Sequence, residues 1–331
     1  MQRHTLSRRR GLAGLAALAA LPVLGTGRSF AQAFPARPVR IVVPAAAGGN
    51  LDLVTRNIAQ KLSEQLGQQV LVENRPGGNY KVAVDAVSQA PADGYTYLAV
   101  ADSFLYTPLI LRAAGFDPLK DFVGVSLVAS VPQVIVAHPS LPANSVAELI
   151  ALAKRRPREL TYGSTGTGGT GHIAAELFSQ QAGASLTHVP YKGNAPALVD
   201  LVGGRLSLMF DTLSTSMQHV KAGTLKALAV TTPTRSPLLP NVPTASESGL
   251  PGYEAVIFNG FVALAGTPPE ILRRMNAEIR KAVQQADIRT RMQEQAVELV
   301  ASESPEQFTA FMKTQAEKYA RVVKAANIRA D

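Results

Sequence analysis

The segment from Tyr162 to His172 combines five glycines with four hydroxyl side chains, a composition suited to binding an anion. Glycine has no Cβ atom, so a ligand can approach the backbone N–H groups closely. Ile173, Leu177 and Phe178 recur at helical spacing, which predicts that a helix begins where the loop ends. Since the first N–H groups of a helix have no partner within it and carry a partial positive charge, the segment predicts an anion site without Lys or Arg. The candidate ligand residues are Ser164, Thr165, Gly166, Thr167, Gly168 and Thr170.

Two nucleotide-binding motifs are alternatives for the same loop. Gly166-x-Gly168-x-x-Gly171 has the spelling of the dinucleotide fingerprint, which would make the chain a nucleotide-using α/β oxidoreductase. That motif needs an acidic residue after the next strand, whereas the strand predicted at 186–189 leads into Pro-Tyr-Lys-Gly. A phosphate-binding P-loop needs Gly-Lys-Ser/Thr, and the loop here reads Gly-Gly-Thr. A generic anion site is therefore favoured, and the oxidoreductase is kept as the alternative.

A second glycine-rich loop follows the strand predicted at 38–43 and precedes a predicted amphipathic helix that ends at Gly67. Asn50 suits the N-cap of that helix and Asp52 suits its positive N terminus, and capping is compatible with ligand contact. The loop thus predicts a second helix N terminus that can bind an anion. Its candidate ligand residues are Ala46, Ala47, Gly48, Gly49 and Asn50.

Acidic and hydroxyl residues also follow two other predicted strands. Ser103 comes after the strand at 95–100, and Asp211 comes after the strand at 206–210. Ligands of parallel α/β sheets bind beyond the carboxyl ends of the strands, so a residue such as Ser103 lies where a ligand is expected. Asp102 and Asp211 can serve as polar ligands or as acceptors that brace a loop.

The sequence contains no catalytic or metal-binding constellation. There is no cysteine, which excludes disulfides, thiolate nucleophiles and cysteine-ligated metals. The histidines beyond residue 33 are scattered and form no zinc motif. His172, next to the central loop, can either contact a ligand or pack in the core. We therefore expect no catalytic residue, no metal and no cofactor.

Predicted strands alternate with helices along most of the chain, which indicates an α/β fold. The alternation is interrupted near Pro132 and near Val256, where the chain is expected to cross between two domains. Each domain should contain a central, mostly parallel sheet flanked by helices, and the apolar stretch 256–264 predicts a pair of strands. The expected division is domain 1, residues 34–132 plus 256–331, and domain 2, residues 133–255.

Residues 1–33 have the features of an export signal: arginines near the start, an apolar run at 11–25 and an A-x-A cleavage sequence ending at Ala33. The apolar run is too short to span a membrane. The segment contains five arginines and no acidic residue, so cleavage after Ala33 lowers the net charge from +9 to +4. A mildly basic chain without a Lys/Arg cluster is not expected to bind nucleic acid. The predicted location is the periplasm.

An ordered set of short motifs resembles one protein family, the periplasmic solute-binding receptors of tripartite tricarboxylate transporters (the Bug family). The motifs are Pro44-(x)3-Gly48-Gly49-x-x-Asp52, Asn74-Arg75-Pro76-Gly77, Asp93-Gly94-Tyr95-Thr96, Tyr162-Gly163-Ser164-x-Gly166-x-Gly168 with His172, Val189-Pro190-Tyr191-Lys192-Gly193, Phe210-Asp211 and Pro243-Thr244-x-x-Glu247-x-Gly249. The resemblance covers the whole chain after the signal.

The resemblance implies a non-enzymatic, monomeric receptor with two α/β domains around a cleft. Such a receptor closes on a small carboxylate, either a mono- or dicarboxylate or, as further options, an amino acid or an aromatic acid. It passes this ligand to membrane permease subunits or to a sensor kinase. The carboxylate is held by backbone N–H groups, hydroxyls and ordered waters from the two glycine loops, with Ser103 and Asp211 as wall residues. The chain departs from the family at Leu51, where a hydroxyl residue is common, and at Tyr80-Lys81, where small residues are usual. Ligand identity is therefore not carried over from any relative.

Overall fold

The computed structural model describes residues 34–77, 79–111 and 113–329. The predicted export signal lies outside the described residues. In chain order the strands are β1 (Val39–Val43), β2 (Val70–Asn74), β3 (Thr96–Ala101), β4 (Phe122–Val131), β5 (Gln133–Ala137), β6 (Thr161–Ser164), β7 (Thr187–Pro190), β8 (Leu208–Thr212), β9 (Lys226–Val230), β10 (Ile257–Leu264) and β11 (Glu298–Leu299). The helices are α1 (Asn50–Leu66), α2 (Lys81–Ser88), α3 (Ser103–Ile110), α4 (Val146–Arg155), α5 (Thr170–Ala182), α6 (Asn194–Val202), α7 (Leu213–Lys221), α8 (Pro269–Val283), α9 (Ala286–Glu294) and α10 (Pro305–Ala325).

The strands form two sheets. The first has six strands in the order β11-β4-β10-β3-β1-β2, and the second has five in the order β7-β6-β8-β5-β9. In the first sheet β1 runs parallel to β2 and β3, while β10 is antiparallel to β3 and β4. In the second sheet β6 runs parallel to β7 and β8, while β5 is antiparallel to β8 and β9. Both sheets are thus mixed.

The expectation of mostly parallel sheets is correct only for the strand–helix–strand parts of the chain. The strands that lead from one sheet to the other impose the antiparallel pairs. The chain leaves the first sheet along β4, passes Pro132 and enters the second sheet as β5. It returns to the first sheet as β10, which must run opposite to β4. Strands on either side of Pro132 and of Val256 belong to different sheets, and the division into two domains there stays a prediction.

One long strand replaces the predicted pair at 256–264. The predicted strands are 256–258 and 261–264, separated by Asn259 and Gly260. In the structure β10 continues through these two residues, with two register shifts against β4. A glycine is required at position 260 because a Cβ atom there would overlap the ring of Phe308 in α10. The break in the residue pattern is therefore a packing feature and does not end the strand.

Helix α3 was missed by sequence analysis. Phe104, Leu105, Tyr106 and Thr107 are all buried and the exposed position is the apolar Leu109, so the helix has no amphipathic pattern. It packs against α10, which also contacts β4 and α5. No helix among the described residues is long and apolar enough to cross a membrane. α3 begins directly at Ser103, one of the candidate ligand residues.

Candidate functional site

The candidate ligand residues all lie where a strand of a parallel pair gives way to a helix. Residues 46–50 lie between β1 and α1, and Ser103 begins α3 directly after β3. Residues 164–170 connect β6 to α5, and Asp211 lies near the end of β8, just before α7. At each place the helix presents N–H groups that have no partner within the helix. These carboxyl-edge loops therefore offer positive helix ends to an anion.

The β6–α5 loop of the second sheet touches the part of the first sheet that carries Ser103. A Cβ atom on Gly168 would overlap the Cδ1 atom of Ile110 in α3, so the two elements are in direct contact. Thr170 and Asp102 also line one small cavity of about 10 Å³. Among the described residues, no hydrogen bond joins the loop 46–50 to the loops of the second sheet.

Asp52 holds the β1–α1 loop in place. Its carboxylate is 1% exposed and accepts the Gly48 N–H at 2.8 Å and the Asn74 Nδ2 group at 2.8 Å. Asn74 also donates to the Ala45 carbonyl at 3.1 Å. Burial opposes ionisation, but the bonds from Arg56, Gly48 and Asn74 outweigh it and lower the pKa of Asp52. Asp52 therefore acts as a charged brace under the loop.

The β1–α1 loop itself is open to solvent. Ala46, Ala47, Gly48, Gly49 and Asn50 are all exposed, and Gly48 has a positive φ of 85°. The N-cap of α1 is Gly49, and Asn50 is the first helical residue, so the predicted capping role of Asn50 is wrong. A glycine N-cap leaves the helix N terminus uncovered by any side chain, which suits contact with a ligand.

Ser164 is a support of the β6–α5 loop. Its side chain is 2% exposed, lies 2.6 Å from the Nε2 atom of His188 and accepts the Gly166 N–H at 3.1 Å. The hydroxyl also donates to the Gly166 carbonyl at 3.0 Å. Thr165 and Thr167 are exposed and Thr170 is half-buried. The threonines, and not Ser164, therefore present free hydroxyls at this loop.

Two stacked histidines form the base of the same loop. The rings of His172 and His188 lie 3.8 Å apart, and the ring of Tyr162 stacks on His188 at 5.0 Å. Burial lowers the pKa of both histidines to about 4, so the rings are neutral at pH 7. A neutral Nδ1 atom of His172 accepts the Gly168 N–H at 3.0 Å. Of the two roles considered for His172, the structure thus shows the packing role.

Asp211 also braces neighbouring elements. It is 2% exposed, and its carboxylate accepts from Asn194 Nδ2 at 2.6 Å, Thr215 Oγ1 at 2.6 Å and Ser216 Oγ at 2.5 Å. Burial raises its pKa, and the bonds from Ser216 and Thr215 counteract that rise. These contacts fix Asn194 at the start of α6 beside the start of α7. Direct contact between Asp211 and a ligand stays a prediction.

Tyr80 occupies the space next to Ser103. Its hydroxyl lies 3.2 Å from Ser103 Oγ and accepts the Ala101 N–H at 3.0 Å, while its ring packs on Phe104 at 5.5 Å. The residue is 8% exposed and has a φ of 76°, which is rare for an aromatic residue. Sequence analysis noted Tyr80 only as a departure from the family pattern. Its contact with Ser103 could not be read from local spacing.

Three further supporting residues were missed by sequence analysis: Asn74, His188 and Asn194. Asn194 directly follows Gly193 at a helix start, a position that could have drawn attention to it. Nothing in the sequence near His188 indicates that it reaches Ser164, since the two lie on adjacent strands. Among the described residues no group of three or more acidic or histidine side chains could hold a metal ion.

A cavity of about 470 Å³ is lined by none of the candidate ligand residues, but it shares Val256 and Lys318 with the small cavity at Thr170 and Asp102. Its walls come from the connections between the sheets and from α9 and α10. Cavity size alone would thus have directed attention to a different part of the molecule. The helix N termini and the cavity thus have different lining residues, although the two regions adjoin at Lys318.

Comparison with known proteins identifies the family. Residues 54–328 match the model of the tripartite tricarboxylate transporter family receptor. Protein BugT of Bordetella pertussis is 35% identical over 300 residues, which cover 89% of this chain and 90% of BugT. This family and the matching solved structures are substrate-binding receptors, which are not enzymes. The prediction that the chain is not an enzyme is therefore confirmed.

Solved structures confirm the predicted periplasmic binding protein fold. A protein of R. palustris with adipate is 38% identical, has a TM-score of 0.74 and covers 89% of this chain and 99% of its own. MatC from Rhodopseudomonas palustris with bound malate is 29% identical, has a TM-score of 0.70 and covers 88% of this chain and 100% of its own. The chain therefore belongs to the tripartite tricarboxylate transporter receptor family.

Proposed function

We propose that the protein is a periplasmic receptor that captures a small mono- or dicarboxylate at the carboxyl-edge loops of its two sheets. This proposal rests on the observation that the candidate residues lie at or next to helix N termini. None of these residues is Lys or Arg. Backbone N–H groups at helix starts bind carboxylates well. The adipate and malate in the two related structures support this ligand class.

In this proposal, one set of groups contacts the carboxylate and another set of residues supports the loops. The exposed N–H groups around Gly49 and the hydroxyls of Thr165 and Thr167 contact the carboxylate. Asp52, Ser164 and Asp211 hold the loops in the binding geometry beforehand. A site that is held in place in advance loses less conformational entropy on binding, which raises affinity.

Domain closure is the proposed mode of capture. The two glycine loops belong to different sheets, and a ligand that contacts both stabilises the closed arrangement of residues 34–132 plus 256–331 against residues 133–255. The receptor then delivers the ligand to the membrane permease subunits of a tripartite tricarboxylate transporter or to a sensor kinase. It acts as a monomer, after export and cleavage behind Ala33.

No observation favours the alternative of a nucleotide-using oxidoreductase. The strand after Gly166-x-Gly168-x-x-Gly171, β7, ends at Pro190 and brings no carboxylate to the loop. The dinucleotide motif requires that carboxylate for the ribose hydroxyls. Nucleotides are nevertheless useful negative controls in a binding experiment.

The test is a thermal-shift screen of the purified protein against adipate, malate, other mono- and dicarboxylates, amino acids and nucleotides. A ligand at about 100 times its Kd should add about 2.7 kcal/mol to the free energy of unfolding. We expect stabilisation by at least one carboxylate and none by nicotinamide nucleotides. The double variant Thr165→Ala/Thr167→Ala should lose most of the shift, whereas Thr290→Ala, an exposed threonine on α9, should keep it.

Stabilisation by nucleotides alone would reject the receptor function. A carboxylate response that survives unchanged in the Thr165→Ala/Thr167→Ala variant would keep the function but move the site away from the β6–α5 loop.

A further inference from the structure

The 470 Å³ cavity has the position of a separate binding site. It lies against both connections between the sheets, at Pro132 after β4 and at 232–238 and Val256 between β9 and β10. The remaining wall comes from β4, β10 and β11 of the first sheet and from α9 and α10. Its volume is within the range of small-molecule sites, about 300–1,000 Å³.

The floor of the cavity is apolar and well packed. Phe258 and Leu299 are 3% exposed, and Phe311 is half-buried with its ring edge-on to Phe258 at 5.3 Å. Leu127 and Val300, both half-buried, continue this surface. Phe258 and Leu299 expose almost no surface, so the apolar body of an occupant would lie mainly against the half-buried Phe311, Leu127 and Val300.

Charges of both signs line the same cavity. Arg289 and Lys318 are the cations, and Glu254 and Glu298 are the carboxylates. Among the described residues none of the four forms an ion pair within 4.0 Å. A third cation, Arg235, already pairs with Glu247 at 2.9 Å and is thus neutralised.

The two cations have donors to spare. Lys318 Nζ donates to the Glu254 carbonyl oxygen at 2.9 Å, which uses one of the three N–H groups of the ammonium. Arg289 Nη1 makes a single contact of 3.5 Å with the Val283 carbonyl oxygen. Both side chains can therefore bind a carboxylate without breaking an existing ion pair.

We propose that this cavity is a second ligand site, which binds an apolar α-amino acid as its zwitterion. The ligand carboxylate binds Arg289 and Lys318, and the ammonium group binds Glu254 and Glu298. The apolar side chain packs on Phe311 and Leu127. A simple carboxylate would leave both glutamates without a partner, and a simple amine would leave both cations without one. The zwitterion of an apolar amino acid can pair with the cations and with the carboxylates, and its side chain can pack on the apolar floor.

The experiment is isothermal titration of the purified protein with phenylalanine and with leucine, compared with 3-phenylpropionate and phenethylamine. We expect one equivalent of amino acid to bind at least tenfold more tightly than either analogue that lacks one charge. Lys318→Gln and Glu254→Gln should each weaken amino-acid binding at least tenfold. The matched control is Lys313→Gln, an exposed lysine on the same helix that does not line the cavity.

The Thr165→Ala/Thr167→Ala variant separates this site from the carboxylate site and should bind the amino acid like the wild type. The proposal is overturned if neither amino acid binds at millimolar concentration, or if 3-phenylpropionate binds as tightly as phenylalanine. It is also overturned if the threonine variant, and not Lys318→Gln, loses binding.

Discussion

Asp52, Ser164 and Asp211 show that the most deeply buried polar side chains of the site support the loops. Each is at most 2% exposed and forms hydrogen bonds with neighbouring backbone or side-chain groups. Buried polar groups without partners are costly, so these contacts are required for stability. The proposed function accordingly assigns ligand contact to the exposed threonines and to backbone N–H groups. Residue type alone does not distinguish these two roles.

Ser164→Ala should therefore reduce stability as well as affinity. The substitution removes the hydroxyl that bonds His188 and both backbone groups of Gly166, and we expect a loss of about 1–3 kcal/mol in the free energy of unfolding. Urea unfolding measures it. Thr165→Ala, at an exposed position, is the control and should change stability by no more than about 0.5 kcal/mol. Equal stability of the two variants would contradict the supporting role of Ser164.

Asp102 should make stability depend on pH. It is 4% exposed, one carboxylate oxygen has no hydrogen-bond partner in the described structure, and burial raises its pKa to about 7 from an ordinary value of 3.8. Between these values the folded state binds a proton that the unfolded state releases. The contribution of Asp102 to stability therefore falls as pH rises from about 4 to about 7, by at most about 1.4 kcal/mol per pH unit.

The comparison of wild type with Asp102→Asn isolates this effect. His172 and His188, whose pKa values are lowered to about 4, act in the opposite sense over part of the range but are common to both proteins. The free energy of unfolding of Asp102→Asn minus that of wild type should increase from pH 4 to pH 7. Thr165→Ala, at an exposed position that carries no titratable group, should run parallel to wild type. A pH-independent difference for Asp102→Asn would refute the assignment.

At the scale of elements, the N terminus of α5 lies directly against β8. α5 packs against β8, and its second residue is Gly171. A Cβ atom at that position would lie 2.5 Å from the Phe210 carbonyl oxygen. A side chain at position 171 would therefore displace α5 together with the N–H groups at its start.

Gly171→Ala should consequently lower both stability and carboxylate affinity. Overpacking of this kind typically costs about 1–3 kcal/mol. Gly49→Ala is the matched control for stability, because its φ is −74° and its Cβ atom would lie 3.6 Å from the Ala46 carbonyl oxygen, an ordinary contact. Denaturant unfolding and ligand titration of both variants check the prediction. A fully stable Gly171→Ala protein would show that α5 can shift without cost.

At the scale of the whole molecule, the chain crosses between the two sheets at two places. The chain passes from the first sheet to the second at Pro132 and returns between β9 and β10. α10 and α5 add a contact between elements, which includes the bond from Gln180 to the Val322 carbonyl oxygen at 3.1 Å. The connection at Pro132 and the longer connection over residues 231–256 are the places about which the proposed domain closure would occur.

Saturation with a bound carboxylate should therefore reduce the radius of gyration in solution. The ligand stabilises the arrangement in which the β1–α1 and β6–α5 loops both contact it. Small-angle X-ray scattering with and without ligand measures the change, and the Thr165→Ala/Thr167→Ala variant at the same ligand concentration should show none. An unchanged radius at confirmed saturation would exclude closure as the mode of capture.

The sequence by itself determined the local units of this protein. The glycine loops, the strands before them and the helices after them follow from spacing over a few residues. The predicted crossing at Pro132 separates β4 from β5, and these strands lie in different sheets. Such features depend on neighbours along the chain, and residue patterns report those directly.

The tertiary structure decided strand direction, the extent of α3 and the partners of the buried polar groups. Ser164 and His188 are 24 positions apart, Ser103 and Tyr80 are 23, and Asp211 and Asn194 are 17. These pairs meet only because β6 lies beside β7 and β8, and because α2 packs near the end of β3. Strand order is set by the packing of the whole chain, which local patterns do not encode. Sequence therefore located the loops, whereas the fold determined which side chains support them and which are free to bind.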